Sequence, residues 1–134
     1  MMGIPPGYLP EEGTDPAEDR IGPFVLRRDP EHFSAGLLTV AHHANGMGNV
    51  HGGVLMTLAD FALCAQARYQ TEDAHIITVA LNTQFVAGAQ VGAFLHSEGR
   101  VVRRTRSLAF VQGLLLDGET VVLSYDGIGK RVAA

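Results

Sequence analysis

The sequence predicts an α+β domain in which an antiparallel sheet wraps around one long, buried helix. Three observations carry this. Gly52 to Gln70 has helical length, no proline and a high Ala, Leu and Met content. Its apolar residues cover nearly the whole circumference, so the helix is expected to be buried on most sides. The chain after it reads as β-type runs separated by turn signals, which supplies a sheet to cover it.

Taken in order, Met1 to Arg20 holds four of the six prolines (Pro5, Pro6, Pro10 and Pro16) together with Glu11, Glu12, Asp15, Glu18 and Asp19. It reads as an extended N-terminal arm, residues 1–20, with one short helical turn after Pro16. A single domain is expected over 21–134. Phe24 to Arg28 is a short strand, and Asp29-Pro30 a turn. Gly36 to His43, rich in Leu37, Leu38 and Val40, reads as a strand. Ala44 to Val50 is a Gly/Asn-rich loop that leads into the helix. Four β-type runs follow: Ile76 to Phe85, Ala93 to Val102, Leu108 to Leu116 and Thr120 to Ile128. Ala87-Gly88, Arg103 to Ser107 and Asp117-Gly118 separate them, the last a strong hairpin signal. There is no internal repeat. A sheet from one small chain leaves an edge, which invites a second copy.

Composition excludes several classes. With 46% hydrophobic and 18% charged residues, the 134-residue chain suits a compact globule and not a disordered one. A net charge of −4 gives no basic footprint for nucleic acid, although Arg100, Arg103, Arg104 and Arg106 cluster locally. Asp60 and Gln66 interrupt the apolar helix, so no membrane span is expected. Met1 to Asp19 lacks a basic region followed by an apolar one, so no secretory signal is expected. Cys64 is the only cysteine, which rules out an internal disulfide and fits a cytoplasmic location.

Asp60 is the most informative residue. It is the one charge between Gly53 and Ala67. Taking a carboxylate out of water costs several kcal/mol unless it is paired or hydrogen-bonded. It lies too far into the helix to act as a cap. One reading is a buried polar network or a bridge to an arginine; the other is a general base or nucleophile in a dry pocket. Thr57, one turn earlier, is placed to hydrogen-bond it. Ahead of the helix stands Asn45-Gly46-Met47-Gly48-Asn49-Val50-His51-Gly52-Gly53. It fails as a dinucleotide fingerprint, because His51 occupies the third glycine position, and it lacks the Lys-Ser/Thr of a phosphate loop. Glycines opening a buried helix serve close packing, or leave backbone N–H groups to bind an anion or oxyanion. The histidines are scattered without ligand spacing, so no metal is expected. No Gly-x-Ser-x-Gly elbow is present. Cys64 reads as a small packing residue.

Together, Asn45, then His51-Gly52-Gly53 six residues on, then Asp60 nine residues after the histidine, resemble the hotdog-fold acyl-CoA thioesterases, most closely their phenylacetate-pathway (PaaI-like) branch. The resemblance runs from about Leu37 to the C-terminus and leaves the arm unexplained. The family's Pro-Ala-x-x-Gly turn appears without its proline, in Ala87 to Gly92. The resemblance implies an acyl-CoA thioesterase acting on an aryl- or medium-chain thioester without a cofactor. Asp60 would be base or nucleophile, the Gly52 N–H would hold the oxyanion, and Asn45 would hold the water or carbonyl. His51 would fix the loop and aid the leaving thiolate. Thr78, on the strand after the helix, would come from a partner subunit and position the water. Gly53, Thr57 and Phe61 would line the substrate, and Arg104 and Arg106, with Arg103, would meet the CoA phosphates. It also implies a homodimer or homotetramer with sites between subunits. Alternatives are a non-catalytic acyl-CoA-binding hotdog protein, an enoyl-CoA hydratase of the same fold, and a small assembly protein.

Overall fold

The computed structural model describes residues 3–72 and 75–132. In chain order its elements are β1 (Leu9–Glu11), α1 (Pro16–Ile21), β2 (Phe24–Arg28), β3 (Phe33–Leu38), a 3-10 turn (Ala41–His43), α2 (Gly52–Arg68), β4 (Ile76–Phe85), β5 (Phe94–Arg104), β6 (Leu108–Asp117) and β7 (Thr120–Arg131). The strands form one antiparallel sheet in the order β1-β2-β3-β5-β6-β7-β4, with α2 packed against it: a hotdog fold. Among the described residues, no helix is long and apolar enough to cross a membrane.

The core explains why α2 forms where the sequence places it. Leu55, Leu58, Ala59, Ala62 and Leu63 are buried against Leu37, Leu95, Val111, Leu115 and Leu123 of the sheet. Burying each such leucine stabilises the fold by about 1.5–3 kcal/mol. The helix sits close where β7 carries glycine, at Gly127 and Gly129. A Cβ on Gly127 would stand 2.5 Å from Leu63 Cδ1 and 2.3 Å from the Ala80 carbonyl oxygen, so only glycine fits. The helix stops at Arg68. Gln70 takes a left-handed φ of 62°, and Arg104 Nη1 donates to the Ala67 carbonyl at 2.6 Å.

The strand expected over Gly36 to His43 lies instead at Phe33–Leu38. Thr39 ends it: its hydroxyl donates to Ala93 O (2.7 Å) and accepts from Gly92 N (3.0 Å). His43 then closes the 3-10 turn. Its Nδ1 accepts from Val40 N at 2.9 Å and its Nε2 bonds the Ile21 carbonyl, which ties this turn to the end of α1. The Asp117-Gly118 signal holds: Asp117 pairs with Thr120 across a two-residue loop, and Gly118 has φ +58°. Leu9–Glu11 pairs with β2 at the sheet edge, and α1 follows it with Asp15 as its N-cap.

β4 is the other edge, and two of its features matter. Its pairing with β7 skips a residue between Thr78 and Ala80, a bulge at Val79. The bulge resets the alternation, so that Ile76 before it and Leu81 after it both pack on the core. Ile77, Val79, Phe85 and the adjoining Val86 are each 50–57% exposed, an apolar strip along a strand that is paired on one side only.

Candidate active site

The start of α2 leaves one donor over. His51 is the N-cap, extended at φ −63°, ψ 138°, and its Nδ1 accepts from Gly53 N at 2.8 Å. The Val54 and Leu55 N–H groups both reach the His51 carbonyl, at 3.0 and 3.2 Å. Among the described residues the Gly52 N–H alone of these four has no acceptor. It sits at the positive end of a 17-residue helix, where an anionic oxygen is stabilised. Because His51 Nδ1 accepts, its proton lies on Nε2, where it is a donor.

Asn45 is fixed by its own loop. Its Oδ1 accepts from Met47 N (2.9 Å) and Asn49 N (3.1 Å), and its backbone N–H donates to Asn49 O (2.7 Å). Gly48, at φ +87°, lets the chain turn tightly enough for this. The side-chain acceptor is thus occupied, and the Nδ2 protons are what Asn45 has left to offer.

Asp60 belongs to a second group. The Thr78 hydroxyl donates to Asp60 Oδ1, and Cys64 Sγ lies 3.2 Å from Thr78 Oγ1. A threonine has one hydroxyl proton, and this one goes to Asp60. The thiol must then be the donor toward Thr78. Burial pushes the Cys64 thiol up to about 11 and so keeps it protonated, while the neighbouring Thr78 pulls the other way. The resulting chain runs Cys64 to Thr78 to Asp60, with Asp60 half-buried.

Two expectations change here. Thr78 was expected from a partner subunit, yet the threonine that meets Asp60 is in the same chain, turned inward on the strand beside the bulge. Thr57 does not reach Asp60; its hydroxyl donates back to the Gly53 carbonyl at 2.8 Å. Phe61 is 4% exposed and stacks on Phe24 with ring centroids 4.8 Å apart, so it is mainly a core residue. The Gly53 N–H is occupied by His51. Arg104 holds the C-terminal end of α2, and Arg106 is exposed on the adjoining turn. Cys64 is the residue that sequence reasoning placed as mere packing. Thr57, Asp60, Cys64 and Arg68 recur every three or four residues, a polar stripe that marks one helix face.

The two groups stand apart within one chain. Asp60 follows Gly52 by eight helical residues, an axial separation of about 12 Å. Backbone donor and carboxylate thus belong to different turns of α2.

The chain was compared with known proteins. Residues 47–124 match the family model described as the thioesterase superfamily. The chain is 34% identical over 130 residues to the Pseudomonas aeruginosa protein named "Putative esterase PA0474", covering 96% of this chain and 97% of that one. Its fold is similar to the PaaI protein from the phenylacetic acid degradation operon of E. coli (TM-score 0.78, 18% identity, 90% and 87% of the two chains). It is also similar to zebrafish thioesterase superfamily member 2 (TM-score 0.74, 20% identity, 89% of each chain). The chain belongs to the thioesterase superfamily and is a thioester hydrolase.

Proposed function

We propose that this protein hydrolyses an aryl- or medium-chain acyl-CoA thioester at a site shared by two copies of the chain. One copy supplies Asp60 and Thr78; the other supplies Gly52, Asn45 and His51. The observation that carries this is the unoccupied Gly52 N–H lying about 12 Å along the same helix from Asp60. Each half is incomplete by itself. The β4 edge that carries Thr78 is also the apolar edge, which suits it to a second copy.

In this reading the thioester carbonyl lies against the Gly52 N–H of one copy. A water lies on the oxygen of Asp60 that Thr78 does not bind, in the other copy. Asp60 takes a proton from the water as its oxygen attacks the carbonyl carbon. Negative charge then develops on the carbonyl oxygen, where the Gly52 N–H and the helix dipole stabilise it. The Asn45 Nδ2 protons add a second donor. Collapse breaks the C–S bond and releases the acid. The CoA thiolate takes a proton from Asp60, and the His51 Nε2–H is placed to steady it. Arg106 and Arg103 remain the cations proposed for the CoA phosphates, whereas Arg104 is engaged with the helix end.

Complementation tests the shared site. Asp60→Asn and Gly52→Pro chains, each inactive alone, are co-expressed with different tags and the mixed dimers allowed to form. Random pairing makes about half of the dimers mixed, each with one intact site of two, so activity should return to about a quarter of wild type. A site contained in one chain predicts no recovery.

A further inference from the structure

The Phe85 ring lies against the start of α2. A Cβ on Gly52 would stand 3.3, 3.5 and 4.0 Å from Phe85 Cε1, Cζ and Cδ1. One edge of the ring therefore packs on the residue whose N–H has no acceptor among the described residues. Register explains why it points there. Phe85 is the last residue of β4 and pairs with Leu123 of β7. Residues directly opposite on antiparallel strands share a face, and Leu123 is buried in the core with α2. A phenylalanine on that face is ordinarily covered, yet this one is 55% exposed. Met56, one turn on from Gly52, lies on the same side of α2 and is 40% exposed. Asp60 follows at the next such step, so a ring and a thioether border the line from the backbone donor to the carboxylate. The apolar residues at the other end of β4 are separate. Val79 precedes Phe85 by six residues, about 20 Å along the strand. Ile77 alternates with the inward-facing Thr78 and so points to the opposite face.

We propose that Phe85 is a specificity-determining residue. With Met56 it forms an apolar platform for the acyl group, and the platform selects an aryl group carried close to the thioester carbonyl. The proposal rests on the reading above in which the Gly52 N–H holds that carbonyl. The ring packs on the residue that donates, so a carbonyl oxygen about 2.9 Å from the Gly52 nitrogen brings the first atoms of the acyl group beside it. A phenyl group there meets a ring edge and a thioether, and aromatic pairs and sulfur–aromatic contacts both add to the area covered. An alkyl chain gains the area alone. The exposed ring leaves water only when an acyl group of this kind covers it, which makes the gain selective.

The test compares kcat/KM for benzoyl-, phenylacetyl-, octanoyl- and acetyl-CoA, following thiol release, in wild type, Phe85→Leu and Phe85→Ala. The side chain is exposed, so both variants should fold. In Phe85→Ala the aryl esters should fall by about tenfold relative to acetyl-CoA. Phe85→Leu keeps apolar area and loses the ring. It should lower the aryl esters about threefold relative to acetyl-CoA and hold the octanoyl-to-acetyl ratio of wild type. Unchanged ratios in both variants would overturn the proposal. So would an equal loss on all four esters, which would put the ring on the CoA arm they share. Calorimetric binding of the non-hydrolysable phenacyl thioether of CoA gives a readout independent of turnover. Phe85→Ala should weaken it by about tenfold; undiminished binding would overturn the platform. Sedimentation tests the other occupant: if Phe85→Ala separates the copies, a second chain covers the ring and the proposal falls. Gly52→Pro keeps the two readings distinct. If it retains turnover while Phe85→Ala still loses aryl preference, the platform stands and the oxyanion assignment falls. If it is inactive while Phe85→Ala behaves as wild type, the donor stands and the platform falls.

Discussion

Replacing Gly52 by proline removes its N–H and puts a pyrrolidine ring in place of the bare glycine. Gly52 is the first residue of α2, the helical position at which proline is tolerated because its N–H has no intrahelical partner. His51 before it already holds φ −63°, ψ 138°, the extended region that a following proline demands. Since the Gly52 N–H has no acceptor among the described residues, its loss breaks no hydrogen bond of the folded chain. The new Cβ would stand 3.3 Å from Phe85 Cε1, the edge of a ring that is 55% exposed and free to shift. The melting temperature should therefore move little. If this N–H receives the developing oxyanion, kcat should fall by roughly 10²–10³, about 3 kcal/mol of transition-state stabilisation. Gly52→Ala is the control: it sets a comparable Cβ against Phe85 but keeps the N–H, and should stay within a few-fold of wild type. The assay is thiol release at saturating acyl-CoA, with circular dichroism to confirm the fold. Proline and alanine variants of equal activity would refute the oxyanion assignment.

Asp60→Asn should lower kcat by about 10²–10⁴ with the hydrodynamic size unchanged; near-wild-type turnover would remove Asp60 from the chemistry. Thr78→Ser should retain most activity and Thr78→Val should lose about tenfold in kcat at similar KM, since only the first keeps a donor to Asp60. Cys64→Ser should behave as wild type and Cys64→Ala should lower kcat a few-fold, a split that a packing role would not produce. Glu18 is raised from 4.5 to about 7 in the fold, first by burial and then by Asp15 and Asp60. Between those pH values the folded state binds more protons than the unfolded one, so this group's contribution to stability falls as pH rises. Glu18→Gln should flatten the fall in melting temperature from about pH 4.5 to about 7; an unchanged slope measured by thermal denaturation would contradict that.

Much of the fold was legible because local signals agreed with the tertiary ones. Phe24–Arg28 and Ile76–Phe85 form strands over the residues their composition indicates, and α2 begins at Gly52 as expected. The misplaced strand is instructive. Leu37, Leu38 and Val40 look continuous in sequence, but Thr39 and His43 divert the chain through hydrogen bonds to residues 22 to 54 positions away. No local pattern contains such partners. Thr78 could be singled out only by resemblance, and the reason it meets Asp60 is the bulge at Val79, which shows in sequence only as a broken alternation from Ile76 to Leu81. Cys64 was readable through the spacing of Thr57, Asp60, Cys64 and Arg68, a signal obscured by averaging hydrophobicity around the helix.

The carboxylate in an apolar helix looked like a burial cost awaiting a partner. The structure changes the question from how deeply Asp60 is buried to which way it faces. Leu58, Ala59 and Leu63 turn into the core and are almost wholly buried, whereas Asp60 stays half-exposed on the stripe beneath the β4 edge. Its hydrogen-bond partner Thr78 comes from that edge, and the edge also carries the exposed apolar side chains of Ile77, Val79 and Phe85. A helix can present an oxyanion donor only at its start, because only there are backbone N–H groups left unpaired. A base on the same helix must lie further along, where side chains are held by packing on both sides. The distance between the two requirements is a property of helix geometry. A second copy docked on β4 would remove it in the same step that covers the apolar strip, so association and assembly of the site would be one event.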